Sequence, residues 1–302
     1  MNLSLNRSHQ NVYFIIRDYW GSGVLRGFQV CRGMSELGWR SSVLDIRTDK
    51  EWVAELKDTR IVFIKKAMKR IAAILQKLKD NNNILIWDPI DGFSSLYKTV
   101  ETQYFHAVIA PNNYALEKWR SYFSNGTILK VIHHHWDTRL RPNRAREFRL
   151  VYVGDVTPEN ISEELIKKAK DLEIVEFGTS KDSKEQQNLI EKVLSYNCHL
   201  SIRSEDTVDF CFKPNTKLSF ASATNSNIIL TRDKSNIELL DGSYPYYTES
   251  DVDKSLEMIR FAKETYRSSI WRQGLQMMKD VKEKTSLKKI AHHYVDLLTN
   301  LS

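Results

Sequence analysis

The chain has 302 residues, and 41% of them are hydrophobic, so it can bury a large core and has the length of two domains. Lys and Arg number 45 against 38 Asp and Glu, which leaves a formal net charge of +7. This surplus favours anionic partners such as nucleic acid, sugar nucleotides or acidic lipid surfaces, and the apolar fraction excludes a disordered chain.

The cysteines, Cys31, Cys198 and Cys211, lie far apart without a Cys-x-x-Cys pair, which argues against a disulfide framework and a thiolate metal site. Residues 1–10 are polar and lack the apolar run of a signal peptide. The longest apolar runs, such as residues 12–16, are too short to cross a bilayer. We expect a cytoplasmic protein that is soluble or bound peripherally to a membrane.

The first half of the chain alternates short apolar runs with helical patterns, which is typical of a doubly wound parallel sheet. Strands are predicted over residues 12–17, 41–46, 60–64, 84–87, 107–110 and 128–132. The clearest helices between them are predicted over 51–57, 67–79 and 113–123. The alternation stops in the arginine-rich stretch 137–149, which we interpret as a linker.

The alternation begins again at residue 150. Strands are predicted over 150–153, 173–177, 199–202, 228–231 and 244–248, and helices over 162–170 and 184–195. From residue 251 onward the apolar spacing predicts successive helices. The two similar halves therefore predict two α/β domains of the nucleotide-binding type.

The segment 212–230 is the most informative part of the sequence, because it predicts a basic turn, a short helix and a buried strand. Pro214 suits the entry to a helix. The amides of the first turn, together with Lys213, Thr216 and Lys217, would offer donors and positive charge to a phosphate. An ordinary helix start with solvated lysines explains the same residues equally well.

Several motifs together resemble the GT-B class of glycosyltransferases. They are the loop Gly21-Ser22-Gly23 with the helix and strand after it, the run 150–153 with Gly154, the segment 213–230, the basic linker and the helical C-terminus. The resemblance implies two Rossmann-like, doubly wound α/β domains that face a cleft, with C-terminal helices. It implies an acceptor domain over 1–137, a linker over 138–149, a donor domain over 150–270, and helices over 271–302 that cross back to the first domain.

The resemblance places the sugar-nucleotide donor on the second domain. Many retaining members carry two glutamates around the donor helix, but the matching positions here fall near Phe212 and Phe220. The ribose and sugar contacts therefore stay unassigned. The residues predicted to bind the donor are Lys213, Thr216, Lys217, Arg203 and Gly154.

The acceptor is expected on the first domain, near Gly21 and Gly23, because glycines let the backbone approach a ligand closely. A dinucleotide fingerprint would need a third glycine three residues after Gly23, where the chain has Arg26. The sequence therefore does not predict an NAD site.

Two carboxylates follow the predicted strand 84–87. Asp91 and Asp88 are candidate catalytic bases, because an inverting transferase needs a group that takes the proton of the acceptor. The alternative is structural: Asp88 would form an Asx turn before Pro89, and Asp91 would cap a helix.

His133, His134 and His135 follow the last predicted strand of the first half. Adjacent residues on a strand point to opposite faces, so these three side chains cannot readily share one metal ion. Their position favours substrate contacts for His133 and His134 and a catalytic role for His135, or a gate near the hinge between the two predicted domains. The alternative is that they are partly buried and hydrogen bonded to backbone groups.

We therefore expect a metal-independent glycosyltransferase without a cofactor, which moves a sugar from a nucleotide-sugar donor to a glycan or lipid-linked acceptor. By resemblance, the expected pathway is bacterial surface polysaccharide or lipopolysaccharide assembly. Lysines and an arginine along 65–79 would suit contact with an anionic membrane, although a helix packed on a sheet shows the same pattern. No nucleic-acid-binding motif is present. The alternative function is a non-catalytic GT-B-like protein that binds a glycan or a protein.

Overall fold

The computed structural model describes residues 11–17, 19, 21–64, 72–90, 102–123, 126–158, 160–176, 183–203 and 213–301. The backbone divides into two compact units. The first comprises Met1–His134, Phe212–Pro214 and Leu287–Ser302, and the second comprises His135–Cys211 and Asn215–Ser286.

The first unit contains a parallel six-stranded sheet in the order β2-β1-β3-β4-β5-β6. Its strands are β1 (Asn11–Ile16), β2 (Arg40–Asp45), β3 (Arg60–Ile64), β4 (Ile84–Asp88), β5 (Ala107–Ala110) and β6 (Ile128–Val131). Every residue of β3 and β5 is buried. Burial on both faces is typical of parallel sheets covered by helices, and it explains why these strands appear in the sequence as continuous apolar runs.

Helices connect these strands. They are α1 (Val30–Glu36), α2 (Lys50–Ala54), α3 (Ala72–Asp80) and α4 (Asn113–Trp119). A π-helix, Gly23–Gln29, precedes α1 and was not predicted. It passes so close to β1 that a Cβ atom on Gly27 would lie 2.6 Å from Ile16 Cγ2, so a larger residue would push the π-helix away from the sheet.

The second unit contains a parallel five-stranded sheet in the order β11-β10-β9-β7-β8. Its strands are β7 (Leu150–Val153), β8 (Leu172–Val175), β9 (Cys198–Ser201), β10 (Asn227–Thr231) and β11 (Tyr247–Thr248). Its helices are α5 (Glu163–Lys168), α6 (Ser183–Val193), α7 (Thr216–Ala223), α8 (Lys234–Leu240), α9 (Val252–Glu264) and α10 (Ser269–Lys284). Side chains of Ser162, Asp233, Asp251 and Ser268 cap four of these helices at their first turns.

The last helix, α11 (Leu287–Thr299), belongs to the first unit, whereas α10 belongs to the second. Gly33 on α1 permits the close packing of α11, because a Cβ atom there would lie 3.1 Å from Leu287 Cγ and 3.2 Å from Ala291 Cβ. The buried Arg60 side chain also donates a 3.0 Å hydrogen bond from Nε to the carbonyl of Leu298. Helix α11 therefore forms part of the core of the first unit.

The predicted fold class is confirmed: two parallel sheets are flanked by helices, and helices end the chain. Each of the strands predicted from the sequence overlaps an observed strand. The predicted helix over 67–79 is observed as α3, and residues 65–71 lie outside the described part of the chain. Within the described ranges, no helix has the length and apolar character needed to cross a membrane.

Candidate functional site

The order of the second sheet reverses between β7 and β9. From β7 the chain runs to β8 on one side and then to β9 on the other side of β7. At such a point the loops leave the carboxyl ends of adjacent parallel strands in opposite directions and open a crevice in which ligands bind. Gly154 follows β7 directly, and Arg203 lies shortly after β9, so two predicted donor-binding residues flank this point.

Gly154 has a backbone conformation that favours glycine, with φ of +137°. The space in front of it is filled by Lys217, because a Cβ atom on Gly154 would lie 3.2 Å from Lys217 Cε and 3.6 Å from Lys217 Nζ. The structure thus brings together the glycine that ends β7 and a lysine from the first turn of α7.

Tyr152 is the residue against which this lysine packs. Lys217 Nζ lies 3.8 Å from the centroid of the Tyr152 ring, within the range of a cation–π interaction. The Tyr152 hydroxyl donates a 3.0 Å hydrogen bond to the carbonyl of Asp155. Burial raises the pKa of Tyr152, whereas the charge of Arg203 acts on the same phenol in the opposite direction. Lys217 thus packs on the face of a buried aromatic ring, and the charge of Arg203 acts on the same residue.

The start of α7 has an unusual N-cap. Asn215 precedes the helix but does not cap it with its side chain. Instead, Asn215 Nδ2 donates a 2.6 Å hydrogen bond to the carbonyl of Ser235, and Ser235 Oγ donates a 3.0 Å hydrogen bond to Asn215 Oδ1. The first turn, which begins with the half-buried Thr216, therefore presents the positive end of the helix without a side-chain acceptor from its own N-cap.

The predicted donor residues thus fall into two groups. Gly154, Arg203, Thr216 and Lys217 all belong to the second unit, and a hydrogen bond from Gly154 N to the carbonyl of Val175 fixes the end of β7 against β8. Lys213 is half-buried and belongs to the short segment assigned to the first unit.

Tyr152 was missed by sequence analysis. Its only sequence signal is an aromatic residue in a strand two positions before a glycine.

A strand-end glycine, a helix start whose N-cap residue supplies no side-chain acceptor, and basic side chains are the features with which proteins bind anions. Lys217 and Arg203 supply positive charge, and the glycine lets a ligand approach the backbone. A phosphate or a diphosphate satisfies all three features.

The first unit contains a buried ionic cluster that includes the candidate base Asp88. Arg26 Nε donates a 2.8 Å hydrogen bond to Asp88 Oδ2, and the Tyr294 hydroxyl donates one of 2.7 Å to the same oxygen. Arg26 also donates to the carbonyls of Ile132 and His133. Burial alone would lower the pKa of Arg26, but the Asp88 carboxylate holds it above its ordinary value. Asp88 is therefore part of the packing between β4, the π-helix and α11.

The other predicted residues of the first half are placed as follows. Asp91 lies outside the described residues. His133 Nδ1 lies 3.2 Å from the carbonyl of Pro111, and His134 and His135 are buried. Gly21, with φ of +48°, accepts a hydrogen bond from Leu25 N at 3.0 Å. Gly23 is buried and begins the π-helix. Their proposed contacts with a substrate stay predictions.

A further concavity of about 340 Å³ lies in the second unit, beside the edge strand β11 and helix α9. Its wall includes Arg232, Tyr247, Lys254 and Glu257. Among the predicted site residues that the structure describes, none lines it.

No protein-family model and no curated protein matches the sequence. Solved structures match it in fold. AviGT4, a glycosyltransferase involved in avilamycin A biosynthesis, has a TM-score of 0.67 and 12% identity, over 97% of this chain and 98% of its own. Alr3699/HepE of Anabaena in complex with UDP-glucose has a TM-score of 0.62 and 10% identity, over 97% of this chain and 100% of its own.

The GtfA/B complex is also similar, with a TM-score of 0.54 and 11% identity over 85% of this chain. This chain spans 60% of the length of that protein. These similarities, at low identity, show the fold. The chain has the GT-B fold of glycosyltransferases, with two Rossmann-like domains and C-terminal helices, and the resemblance inferred from the sequence is confirmed at that level.

Proposed function

We propose that the protein is a glycosyltransferase that uses a nucleotide-sugar donor, and that the donor diphosphate binds at the carboxyl ends of β7 and β9. The observation that carries this proposal is the position of Lys217, held over the Tyr152 ring and against Gly154 at the point where the sheet order reverses. The GT-B fold supports the same class of activity.

The chemistry of glycosyl transfer explains why cations are needed there. The bond between the anomeric carbon and the diphosphate oxygen breaks, a bond to an acceptor oxygen forms, and the acceptor proton passes to a base. Negative charge grows on the diphosphate in the transition state, where fixed cations stabilise it most. Positive charge that stabilises the leaving diphosphate is supplied by Lys217, Arg203 and the start of α7. We therefore propose a reaction that needs no metal.

The base for the acceptor proton is proposed to be Asp91. Of the two carboxylates predicted after β4, Asp88 already accepts hydrogen bonds from Arg26 and Tyr294 through one oxygen and is only 1% exposed. We assign Asp88 the structural task of holding the end of β4, from which the chain continues to Asp91. His135 stays the second candidate.

The proposed donor is a UDP-sugar, because the fold matches that of HepE, which was solved with UDP-glucose. A glycan or a lipid-linked glycan is the proposed acceptor. By the resemblance to GT-B enzymes, we propose a role in bacterial surface polysaccharide or lipopolysaccharide assembly at the inner face of the membrane.

Thermal unfolding with free nucleotides tests the donor site, because a ligand that binds only the folded state raises the melting temperature. We expect UDP to raise it more than GDP, ADP, CDP or dTDP. Lys217→Met should abolish the response, whereas Lys254→Met should retain it, because Lys254 is an exposed lysine of the same unit that pairs with Glu257. A full UDP response in Lys217→Met would contradict the proposed site.

A second candidate function is a non-catalytic relative that binds a glycan or a protein. Helix α7 favours it, because the helix contains no carboxylate, and Phe220, near a position where many retaining enzymes carry a glutamate, packs its ring 6.3 Å from that of His199. Nucleotide-sugar binding without release of UDP, either to water or to any acceptor, would favour this alternative.

A further inference from the structure

An acidic residue lies beside the proposed diphosphate site, at the end of the neighbouring strand. Glu176 is the residue directly after β8, and it is exposed. Strands β7 and β8 pair in parallel through Val153 and Val175, and Gly154 N donates a 3.0 Å hydrogen bond to the carbonyl of Val175. Glu176 therefore leaves the sheet next to the glycine against which Lys217 packs.

The Glu176 carboxylate is oriented toward the loop after β7. Val156 N donates a 3.1 Å hydrogen bond to Glu176 Oε1, which fixes the side chain over this loop. Burial is the main cause of the raised pKa of Tyr152, and the charge of Glu176 raises it further. The carboxylate thus lies within electrostatic range of the ring that carries Lys217. An exposed carboxylate with two oxygens can accept further hydrogen bonds from a ligand.

The position of Glu176 corresponds to a general feature of Rossmann-like domains. In domains of this kind that bind dinucleotides, an acidic residue about 20 residues after the glycine loop accepts a hydrogen bond from the ribose 2′-hydroxyl. Strands β7 and β8 are the first two strands of the second sheet in chain order. Gly154 follows the first of them and Glu176 follows the second.

Helix α7 supplies no acceptor of this kind. Its sequence, Thr216–Ala223, contains no carboxylate, and Phe220 lies near a position at which many retaining enzymes carry a glutamate. A ribose bound next to the diphosphate site therefore needs a charged acceptor from another element. Glu176 is such an acceptor, and it comes from the strand on the other side of β7 from β9.

We propose that Glu176 binds the ribose of the nucleotide, accepts a hydrogen bond from its 2′-hydroxyl, and so selects a ribonucleotide over a 2′-deoxyribonucleotide. This inference rests on the proposed function, because it assumes that a nucleotide binds with its diphosphate near Lys217. It adds the placement of the nucleoside, which lies on the β8 side of that diphosphate.

A divalent cation is the competing ligand for this position. Asp155 is also exposed, and its charge, like that of Glu176, raises the pKa of Tyr152 after burial has done so. The positive charges of Lys217 and Arg203 act on the same ring, however, and they oppose a further cation. A hydroxyl group is neutral and donates a proton to a carboxylate, so a ribose fits this position better.

Isothermal titration of the full chain tests the assignment. The probe is UDP, or the nucleoside diphosphate that raises the melting temperature most, and it is compared with its 2′-deoxy analogue in buffer that contains EDTA. We expect the ribonucleotide to bind about tenfold more tightly, the lower end of what a hydrogen bond to a charged group contributes.

Glu176→Ala separates ligand binding from a structural role. The variant should weaken binding of the ribonucleotide by about tenfold and binding of the 2′-deoxy analogue by less than about twofold, because the analogue has no hydroxyl for the carboxylate to accept. If Glu176 only fixed the loop through Val156 N, both ligands would lose the same affinity.

Two other carboxylates of the same region serve as controls. Glu173 lies on β8 and pairs with Arg149 at 3.4 Å, and Asp155 follows Gly154. Glu173→Ala and Asp155→Ala should each keep the full preference for the ribonucleotide. Loss of the preference in Asp155→Ala, with its retention in Glu176→Ala, would overturn the assignment.

Three further results would overturn the ribose contact alone. They are equal affinity of the unmodified protein for the ribonucleotide and its 2′-deoxy analogue, equal weakening of both by Glu176→Ala, and a preference that appears only when Mg²⁺ replaces EDTA. If no nucleoside diphosphate binds the unmodified protein, the donor site and the ribose contact both fail. Lys217→Met tests the diphosphate site separately, so the two proposals can fail independently.

Discussion

Arg26 and Asp88 form a 2.8 Å ion pair in which each side chain is 1% exposed. The carboxylate also accepts a hydrogen bond from the hydroxyl of Tyr294, a residue of the last helix of the chain. Three distant parts of the sequence, the π-helix, β4 and α11, therefore meet at one buried oxygen.

Breaking this pair should destabilise the protein strongly. Asp88→Asn is expected to lower the free energy of unfolding by about 3–5 kcal/mol, because the buried guanidinium loses its counter-charge. The double variant Arg26→Met with Asp88→Leu should lose less than the single variant, since neither charge is then buried. Urea unfolding measures both.

The exposed pair of Lys168 and Glu164 provides the control for this measurement. Glu164→Gln should change the free energy of unfolding by less than about 0.5 kcal/mol, as is usual for surface charges. If Asp88→Asn were equally mild and yet abolished sugar transfer, Asp88 would be the catalytic base and not a structural residue.

Alanine substitutions at Gly154 and Gly38 distinguish backbone strain from a clash with Lys217. Both have positive φ, of +137° and +87°, so alanine at either position is strained by about 1–3 kcal/mol. Only at Gly154 would the new Cβ atom meet Lys217, whereas nothing lies within 4 Å of the Gly38 position. Both variants should lose stability, but only Gly154→Ala should weaken UDP binding.

Isothermal titration with UDP, at a temperature where both variants are folded, checks this difference. Equal affinity in Gly154→Ala and Gly38→Ala would show that the position of Lys217 against Gly154 has no part in nucleotide binding.

The sequence predicted the sheets well for a physical reason. Strands buried on both faces, such as β3 and β5, consist of apolar residues that leave a recognisable run. The π-helix could not be predicted in the same way, because it depends on the fit of Gly27 against Ile16, a contact between elements.

The candidate site could be predicted only in part. Arg203 follows from the rule that ligands gather at the carboxyl ends of parallel strands, Lys217 from the basic start of a predicted helix, and Gly154 from the resemblance to a donor domain. The structure places Lys217 between Gly154 and the Tyr152 ring, and the charge of Arg203 acts on Tyr152. The role of Tyr152 depends on a lysine from a distant helix, so no local pattern reveals it. The burial of Asp88 likewise depends on Tyr294, which the sequence places more than two hundred residues away.

The buried His199 on β9 should make the stability of the protein depend on pH. Burial lowers the pKa of His199 to about 3, whereas histidine in an unfolded chain titrates near pH ~6.5. Between these two values the unfolded state binds a proton that the folded state does not. Stability should therefore fall as the pH is lowered through this window, by up to about 1.4 kcal/mol per pH unit from this residue.

Urea unfolding at a series of pH values between about 7 and 4 measures this contribution. His199→Gln should show a shallower loss of stability on acidification, because glutamine does not titrate, while its amide can still hydrogen bond to Thr224, whose hydroxyl lies 3.3 Å from His199 Nε2. His292→Gln, at an exposed position of α11, should keep the original pH dependence. An identical slope in His199→Gln and the unmodified protein would show that His199 is protonated in the folded state, contrary to its burial in the strand.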